Sequence, residues 1–216
     1  MRTPPRPRAI VFDLDGTLID TVGARIDAWQ AAFAERGLEV GRDRLEPMIG
    51  MDGRRLAAEV IGNDASAEEV DARAGALFDA RNRDPHPLPG ARELLERLDA
   101  DGVTWAIATS SRAEQVAASV NALRMGHAPR IVDGSAVEHA KPAPDLLLLA
   151  ARRLGIAPDE TWYVGDSTWD MRAAVAAGMH AIGVTAGAAV GEDALRDAGA
   201  AQVIGSLDEL ELPERA

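Results

Sequence analysis

The sequence predicts an α/β fold, a parallel sheet with helices on both faces, carrying an all-helical insertion behind its first strand. Short apolar runs rich in β-branched residues alternate along the chain with helical patterns of about 10 residues, the rhythm of βαβ units. The apolar runs end in turns bearing Asp, Gly, Ser or Thr, as buried parallel strands do. Residues 20–85 break the rhythm, because they hold helical stripes and no convincing strand.

Ala9-Ile10-Val11-Phe12 is the first predicted strand. Behind it, Val22, Ile26, Trp29 and Phe33 stand at helical spacing, and so do Val70, Ala74 and Leu77. Ser66 followed by Glu69 reads as a capping box opening the later helix. The segment Asp84-Pro85-His86-Pro87-Leu88-Pro89-Gly90 cannot continue a helix and marks the return from the insertion. The expected division is therefore a core of residues 1–19 and 86–216 and a helical unit of 20–85. Ala91 to Ala100 puts Leu94, Leu95 and Leu98 on one face and stops at Gly102; Asp145 to Leu154 repeats that design and stops at Gly155. Strand-like runs recur at Val103 to Ala108, weakly at Arg130-Ile131-Val132, then at Thr161 to Val164, Ala181 to Val184 and Gln202-Val203-Ile204.

Composition narrows the function classes. With 216 residues, 47% hydrophobic and 27% charged, the chain has ordinary globular usage and room for a sizeable core. Cysteine is absent, which excludes disulfides, thiolate metal sites and cysteine nucleophiles, so covalent catalysis needs another side chain. A formal net charge of −12 argues against nucleic-acid binding, which is built from clustered Lys and Arg. No apolar run approaches a membrane span, and the run after the Arg-bearing start is interrupted at Asp13 and Asp15, so no signal-peptide core forms. The expectation is a cytoplasmic enzyme, with no nucleic-acid or membrane partner. The 4 histidines are scattered without ligand spacing.

Asp13-Leu14-Asp15-Gly16-Thr17-Leu18 follows the first strand directly. Two carboxylates one residue apart can enter one crevice once the chain leaves strand geometry, and Gly16 frees the backbone to turn. Open α/β sheets bind ligands at the carboxyl ends of their strands, which is where both acids fall. Thr109-Ser110-Ser111 closes the next predicted strand and precedes a helix, an entrance suited to an anion. Lys141-Pro142 stands in the loop before the Leu-rich helix, where an ammonium can neutralise phosphate. Gly165-Asp166-Ser167-Thr168-Trp169-Asp170 follows the Trp162-Tyr163-Val164 run and offers oxygen ligands for a hard cation such as Mg²⁺. Taken singly, each has an ordinary use as an acidic turn, an N-cap, a loop or helix-dipole compensation.

Taken together and in this order, the four resemble the motifs of the haloacid dehalogenase-like hydrolases, and the likeness spans the chain. The helical insertion, His86-Pro87-Leu88-Pro89-Gly90 and Lys141-Pro142-Ala143-Pro144-Asp145 resemble the phosphoglycolate phosphatase and β-phosphoglucomutase branch. The resemblance implies a Rossmann-like three-layer core with a helical cap, and a magnesium-dependent phosphatase acting on a small phosphorylated metabolite. It implies that Asp13 is the nucleophile that becomes an aspartyl phosphate, and that Asp15 protonates the leaving oxygen and then activates water. Mg²⁺ would be held by the Asp13 carboxylate, the Asp15 carbonyl and Asp166, with Asp170 acting through water. Thr109, the Ser110 backbone N–H and Lys141 would cradle the phosphoryl group. Arg54 and Arg55, in Gly50-Met51-Asp52-Gly53-Arg54-Arg55, are the cap candidates for a second anionic group, although the arginine is displaced from the branch's usual place.

Three alternatives stand beside this reading. A dehalogenase attacks carbon and has no use for Asp15 or Asp166. A β-phosphoglucomutase-type phosphomutase shares all four motifs and differs in whether a sugar hydroxyl or water accepts the phosphoryl group. A non-enzymatic receiver also uses Asp, Thr/Ser, Lys and magnesium, but it is shorter and lacks a helical insertion.

Overall fold

A computed structural model describes residues 6–63 and 65–214; the predicted core's ends, 1–5 and 215–216, lie outside them. The sheet has six strands, all parallel: β1 (Ala9–Phe12), β2 (Thr104–Ala108), β3 (Ile131–Val132), β4 (Thr161–Gly165), β5 (His180–Val184) and β6 (Gln202–Ile204). Their order is β3-β2-β1-β4-β5-β6. The predicted runs all become strands, two with the expected ends and four with one end displaced by a residue, and the weak Arg130–Val132 run yields only the two-residue edge strand β3.

Strand β1 is buried throughout. Ile10 and Phe12 pack on one face with Leu94, Leu95 and Leu98 of α5 (Ala91–Ala100), and Val11 packs on the other with Leu146 and Leu147 of α7 (Asp145–Leu154) and Ala173 and Ala174 of α8 (Thr168–Ala177). Burying such side chains contributes roughly 1.5–3 kcal/mol each, so the alternation along β1 fixes its register against both helix layers. Helices α6 (Ala113–Ala122) and α9 (Glu192–Asp197) complete the layers. Among the described residues no helix is long and apolar enough to cross a membrane.

Residues between β1 and α5 form α1 (Val22–Ala34), α2 (Arg42–Leu45), α3 (Gly53–Ile61) and α4 (Ala67–Arg81). Helix α4 packs against both α1 and α3. Their apolar faces make a separate core of Ile26, Trp29, Phe33, Leu45, Leu56 and Val70 among others, to which α8 lends Trp169. Asp20 N–H donates to the His86 carbonyl at 2.9 Å and Leu88 N–H to the Leu18 carbonyl at 2.9 Å, so the outgoing and returning chains run side by side.

The Ser66 capping box does not form. Ser66 lies at φ −110°, ψ 0°, outside the extended region a capping side chain needs, and makes no cap hydrogen bond. Its N–H instead donates to Asn63 Oδ1, and Glu69 pairs with Arg36 at 2.6 Å, tying α4 to the end of α1.

Strand order positions the site. From β1 the chain goes first to β2 on one side and later to β4 on the other, so the crevice beyond the carboxyl end of β1 lies at the point where the winding reverses.

Candidate active site

Asp13 follows β1 at that reversal point, its N–H donating to the Val164 carbonyl at 2.9 Å and its side chain buried. The turn behind it closes through Gly16 N–H to the Ile19 carbonyl at 2.8 Å, with Gly16 at φ +82°. A Cβ at Gly16 would run into the Asp166 carboxylate, so only glycine lets the β1 turn approach the β4 turn this closely. Thr17 Oγ1 bridges the two turns by donating to Asp166 Oδ1 at 2.9 Å.

Lys141 is 1% exposed, and its ammonium lies 2.5 Å from Asp13 Oδ1 and 2.7 Å from Asp170 Oδ1. Burial opposes the charged amine, but Asp13 and Asp170 outweigh it and hold Lys141 above its ordinary range. Asp170 is fixed from every side: Tyr163 OH donates to Oδ1 at 2.8 Å, and the Ser167 N–H and hydroxyl donate to Oδ2 at 3.0 and 2.5 Å. Ser167 in turn accepts from Asp170 N–H at 3.2 Å, so a capping box opening α8 fixes the acid that positions Lys141.

One carboxylate oxygen from each of Asp13, Asp166 and Asp170 lies within 4.8 Å of the others, all three residues buried. Burial pushes Asp13 up to about 7 despite the neighbouring Lys141. Burial, then repulsion from Asp170 and Asp13, pushes Asp166 well above the usual carboxylate range. Three buried acids facing one ammonium leave negative charge that a cation would offset. The donor set is all oxygen, as Mg²⁺ prefers, so the residues present fit that ion; Asp170 is already engaged by Lys141, Tyr163 and Ser167, which leaves the Asp13 and Asp166 carboxylates as those that could hold it.

Asp15 stands apart from this cluster. Thr21 Oγ1 donates to its Oδ1 at 2.7 Å, and Arg25 and Ser111 Oγ donate to its Oδ2 at 2.8 and 2.6 Å. Burial favours its neutral acid, but the Arg25 charge and these hydrogen bonds win and hold the carboxyl below its usual range. Thr109 is buried beside it and accepts from Ser111 N–H at 3.1 Å, while Ser110 Oγ is buried without a partner.

A cavity of about 190 Å³ joins these groups. Asp13, Asp15, Thr109, Ser110 and Ser111 line it from the sheet, and Arg25, Trp29, Met51, Leu56 and Phe78 from the helical insertion. Asp13, Asp15, Thr109 and Ser110 thus face one crevice, while Lys141, Asp166 and Asp170 lie buried behind its lining, tied to it through Asp13. Arg54 and Arg55 do not line it: both are exposed on α3, and the Arg55 guanidinium lies 5.5 Å from the Trp169 ring centre, outside the cavity. Sequence reasoning missed Arg25, Ser111, Thr17 and Tyr163. Two of these left a signal, since Arg25 follows Thr21 by one helical turn, and Tyr163 is a phenol inside an apolar strand that must find a partner.

The family model for haloacid dehalogenase-like hydrolases matches residues 10–184. The chain belongs to that family. Among curated relatives of this hydrolase, phosphoglycolate phosphatase 1 of Pseudomonas aeruginosa is 34% identical over 193 residues, covering 84% of this chain and 70% of that one. A phosphoglycolate phosphatase of Xanthomonas campestris is 32% identical over 197 residues, 87% of each chain. Among solved structures, a hydrolase from Pseudomonas syringae superposes with a TM-score of 0.86 at 33% identity, covering 92% of this chain and 94% of that one. A putative β-phosphoglucomutase from Bacteroides vulgatus superposes at 0.83 and 26% identity, covering 94% and 86%.

Proposed function

We propose that this hydrolase cleaves a small phosphate monoester with Asp13 as covalent nucleophile and Mg²⁺ as cofactor. It is a phosphoric monoester hydrolase of the haloacid dehalogenase-like family. The observation that carries the reading is the contrast between two acids one residue apart: Asp13, bound to Lys141 beside Asp166, and Asp15, held by Thr21, Arg25 and Ser111 at the same cavity.

Asp13 attacks phosphorus and the bond to the ester oxygen breaks; Asp15, a carboxylate while Arg25, Ser111 and Thr21 hold it, must first take up a proton from solvent, which it then gives to the departing alkoxide. Asp15, now a carboxylate, takes a proton from water, and the hydroxide equivalent cleaves the aspartyl phosphate to free Asp13 and phosphate. Lys141 faces the transferring group as a fixed ammonium, kept in place by Asp170, while Thr109 and Ser110 supply donors from the end of β2. Asp13 and Asp166 would hold Mg²⁺, which would supply further positive charge to offset the developing negative charge. Residues 20–85 act as the cap over a core of 1–19 and 86–216, excluding water and selecting the ester.

Asp13→Asn tests the reading through phosphate release from a panel of small esters. Turnover should fall below about a hundredth of wild type, because an amide cannot serve as the attacking carboxylate. Retained turnover rejects covalent catalysis at Asp13. The likeness to a β-phosphoglucomutase favours a phosphomutase as second reading. Phosphate accumulating in step with ester consumed, with no isomeric ester, rejects it.

A further inference from the structure

Arg25 is the cation that α1 sends into the catalytic cavity, and its position is not explained by packing alone. The side chain is 17% exposed, and its guanidinium stands 3.8 Å from the centre of the Phe78 ring of α4, which fixes its plane. One nitrogen, Nη2, donates to both Asp15 Oδ2 and Ser111 Oγ, while Nε is buried with no partner at all. A rigid, partly unsatisfied guanidinium has donors to spare for a planar anion.

The other charged groups facing this space do not compete for that role. Arg112 also lines the cavity and pairs with Asp71 at 3.0 Å, but its side chain is 49% exposed against 17% for Arg25, so water screens its charge. Lys141 is committed to Asp13 and Asp170. Arg54 and Arg55 lie outside the lining. Asp52 and Asp71 line the insertion side and would repel an anion placed away from Arg25. Asp15 has both oxygens engaged, by Thr21 on one and by Arg25 and Ser111 on the other, so it must give up a contact before it can face an ester oxygen.

We infer that Arg25 is a specificity-determining residue: it takes up a second anionic group on the alcohol part of the substrate, a carboxylate or second phosphate close to the ester oxygen, and in doing so gives up its contact with Asp15. This rests on the phosphatase reading above and adds the substrate class to it. An ester with a neutral alcohol leaves Arg25 on Asp15 and reacts slowly; an ester with the second anion exchanges one partner of Arg25 for another. The arrangement makes the substrate itself release the acid beside its leaving group.

The test compares 2-phosphoglycolate with 2-hydroxyethyl phosphate, which replaces the carboxylate by a neutral hydroxymethyl, in the full-length protein with Mg²⁺. Wild type should prefer the carboxylate ester in kcat/KM by roughly 10- to 150-fold, the range of a charge-assisted hydrogen bond. Arg25→Met, which keeps the stem against Phe78, should erase most of that ratio, and Arg25→Lys should restore part of it. A merely structural arginine would lower both esters together and leave the ratio intact. An unchanged ratio in Arg25→Met, or a wild type that turns over both esters equally, overturns the inference and leaves the phosphatase reading standing. Should Arg25→Met fail to fold, the wild-type ratio and Arg25→Lys decide. If wild type releases phosphate from neither these two nor any other small ester, the phosphatase reading falls and takes the inference with it.

Discussion

Lys141→Met removes the ammonium between Asp13 and Asp170 while keeping nearly the same volume. Lys141 and Asp170 side chains are each 1% exposed and that of Asp13 is 8%, so no solvent takes the place of the lost charge. Breaking a buried ion pair from one side costs about 3–5 kcal/mol. For a chain of this size about 1 kcal/mol shifts Tm by roughly 2–4 °C, so unfolding in EDTA should move down by roughly 6–20 °C at pH 8. The sign with pH follows from the acids left behind. Asp13, already pushed up to about 7 with Lys141 present, rises further without it. An acid whose pKa is raised in the fold costs stability as pH climbs from its unfolded value of about 4 through the folded one. The deficit against wild type should therefore be largest at pH 8 and shrink at pH 5.5. Circular dichroism melts at both pH values measure it. A loss under about 2 °C at pH 8, or a larger loss at pH 5.5, would refute the placement of Lys141 as the counter-charge of this cluster.

Gly16→Ala places a Cβ against Asp166 at φ +82°. It should cost about 1–2 kcal/mol in urea unfolding and raise the Mg²⁺ concentration for half activity about tenfold or more; an unchanged Mg²⁺ titration argues against Asp166 as a ligand. Excess EDTA should stop phosphate release, and added Mg²⁺ should raise Tm more at pH 8 than at pH 5.5, because the metal-free fold loses stability as pH climbs from about 4 toward the raised pKa values of Asp13 and Asp166, and protons compete with the metal for these acids at the lower pH. Equal Tm gains contradict that account. At the far end of β2, the hydrogen bond to Asp99 raises the His127 pKa; burial of Asp99 acts the other way, but His127 and Trp105 draw the acid down. Their attraction is present above the unfolded Asp value and lost as pH rises through the raised His127 value, so His127→Ala should lower Tm more at pH 5.5 than at pH 8.5, and equal losses at both would reject the pair.

The sequence by itself determined the sheet and which charged side chains stand at its edge. The runs at Ala9–Phe12 and Thr161–Val164 declare buried parallel strands because strands covered on both faces carry no polar alternation. Asp13, Asp15, Lys141 and Asp166 were legible because each closes a strand or stands in the loop behind one, where chain direction alone puts ligand groups. Local backbone detail was less legible: Ser66-x-x-Glu69 has the letters of a capping box, but the turn bonded to Asn63 keeps Ser66 out of the extended conformation the cap requires. What only the tertiary structure decided is which side chains of the insertion face the acids. Arg54 and Arg55 hold the place in the chain where an arginine was expected, yet the turn of α3 leaves both outside the cavity. Arg25, marked in the sequence only by its spacing of one helical turn from Thr21, reaches Asp15 because α1 leaves the β1 turn directly over it. Chain direction at a strand end is a local property, whereas the rotation of a helix about its axis is set by the partners that bury it. Here Ile26 and Phe33 turn inward against α4 and leave Arg25, with Trp29 one turn on, to face the crevice.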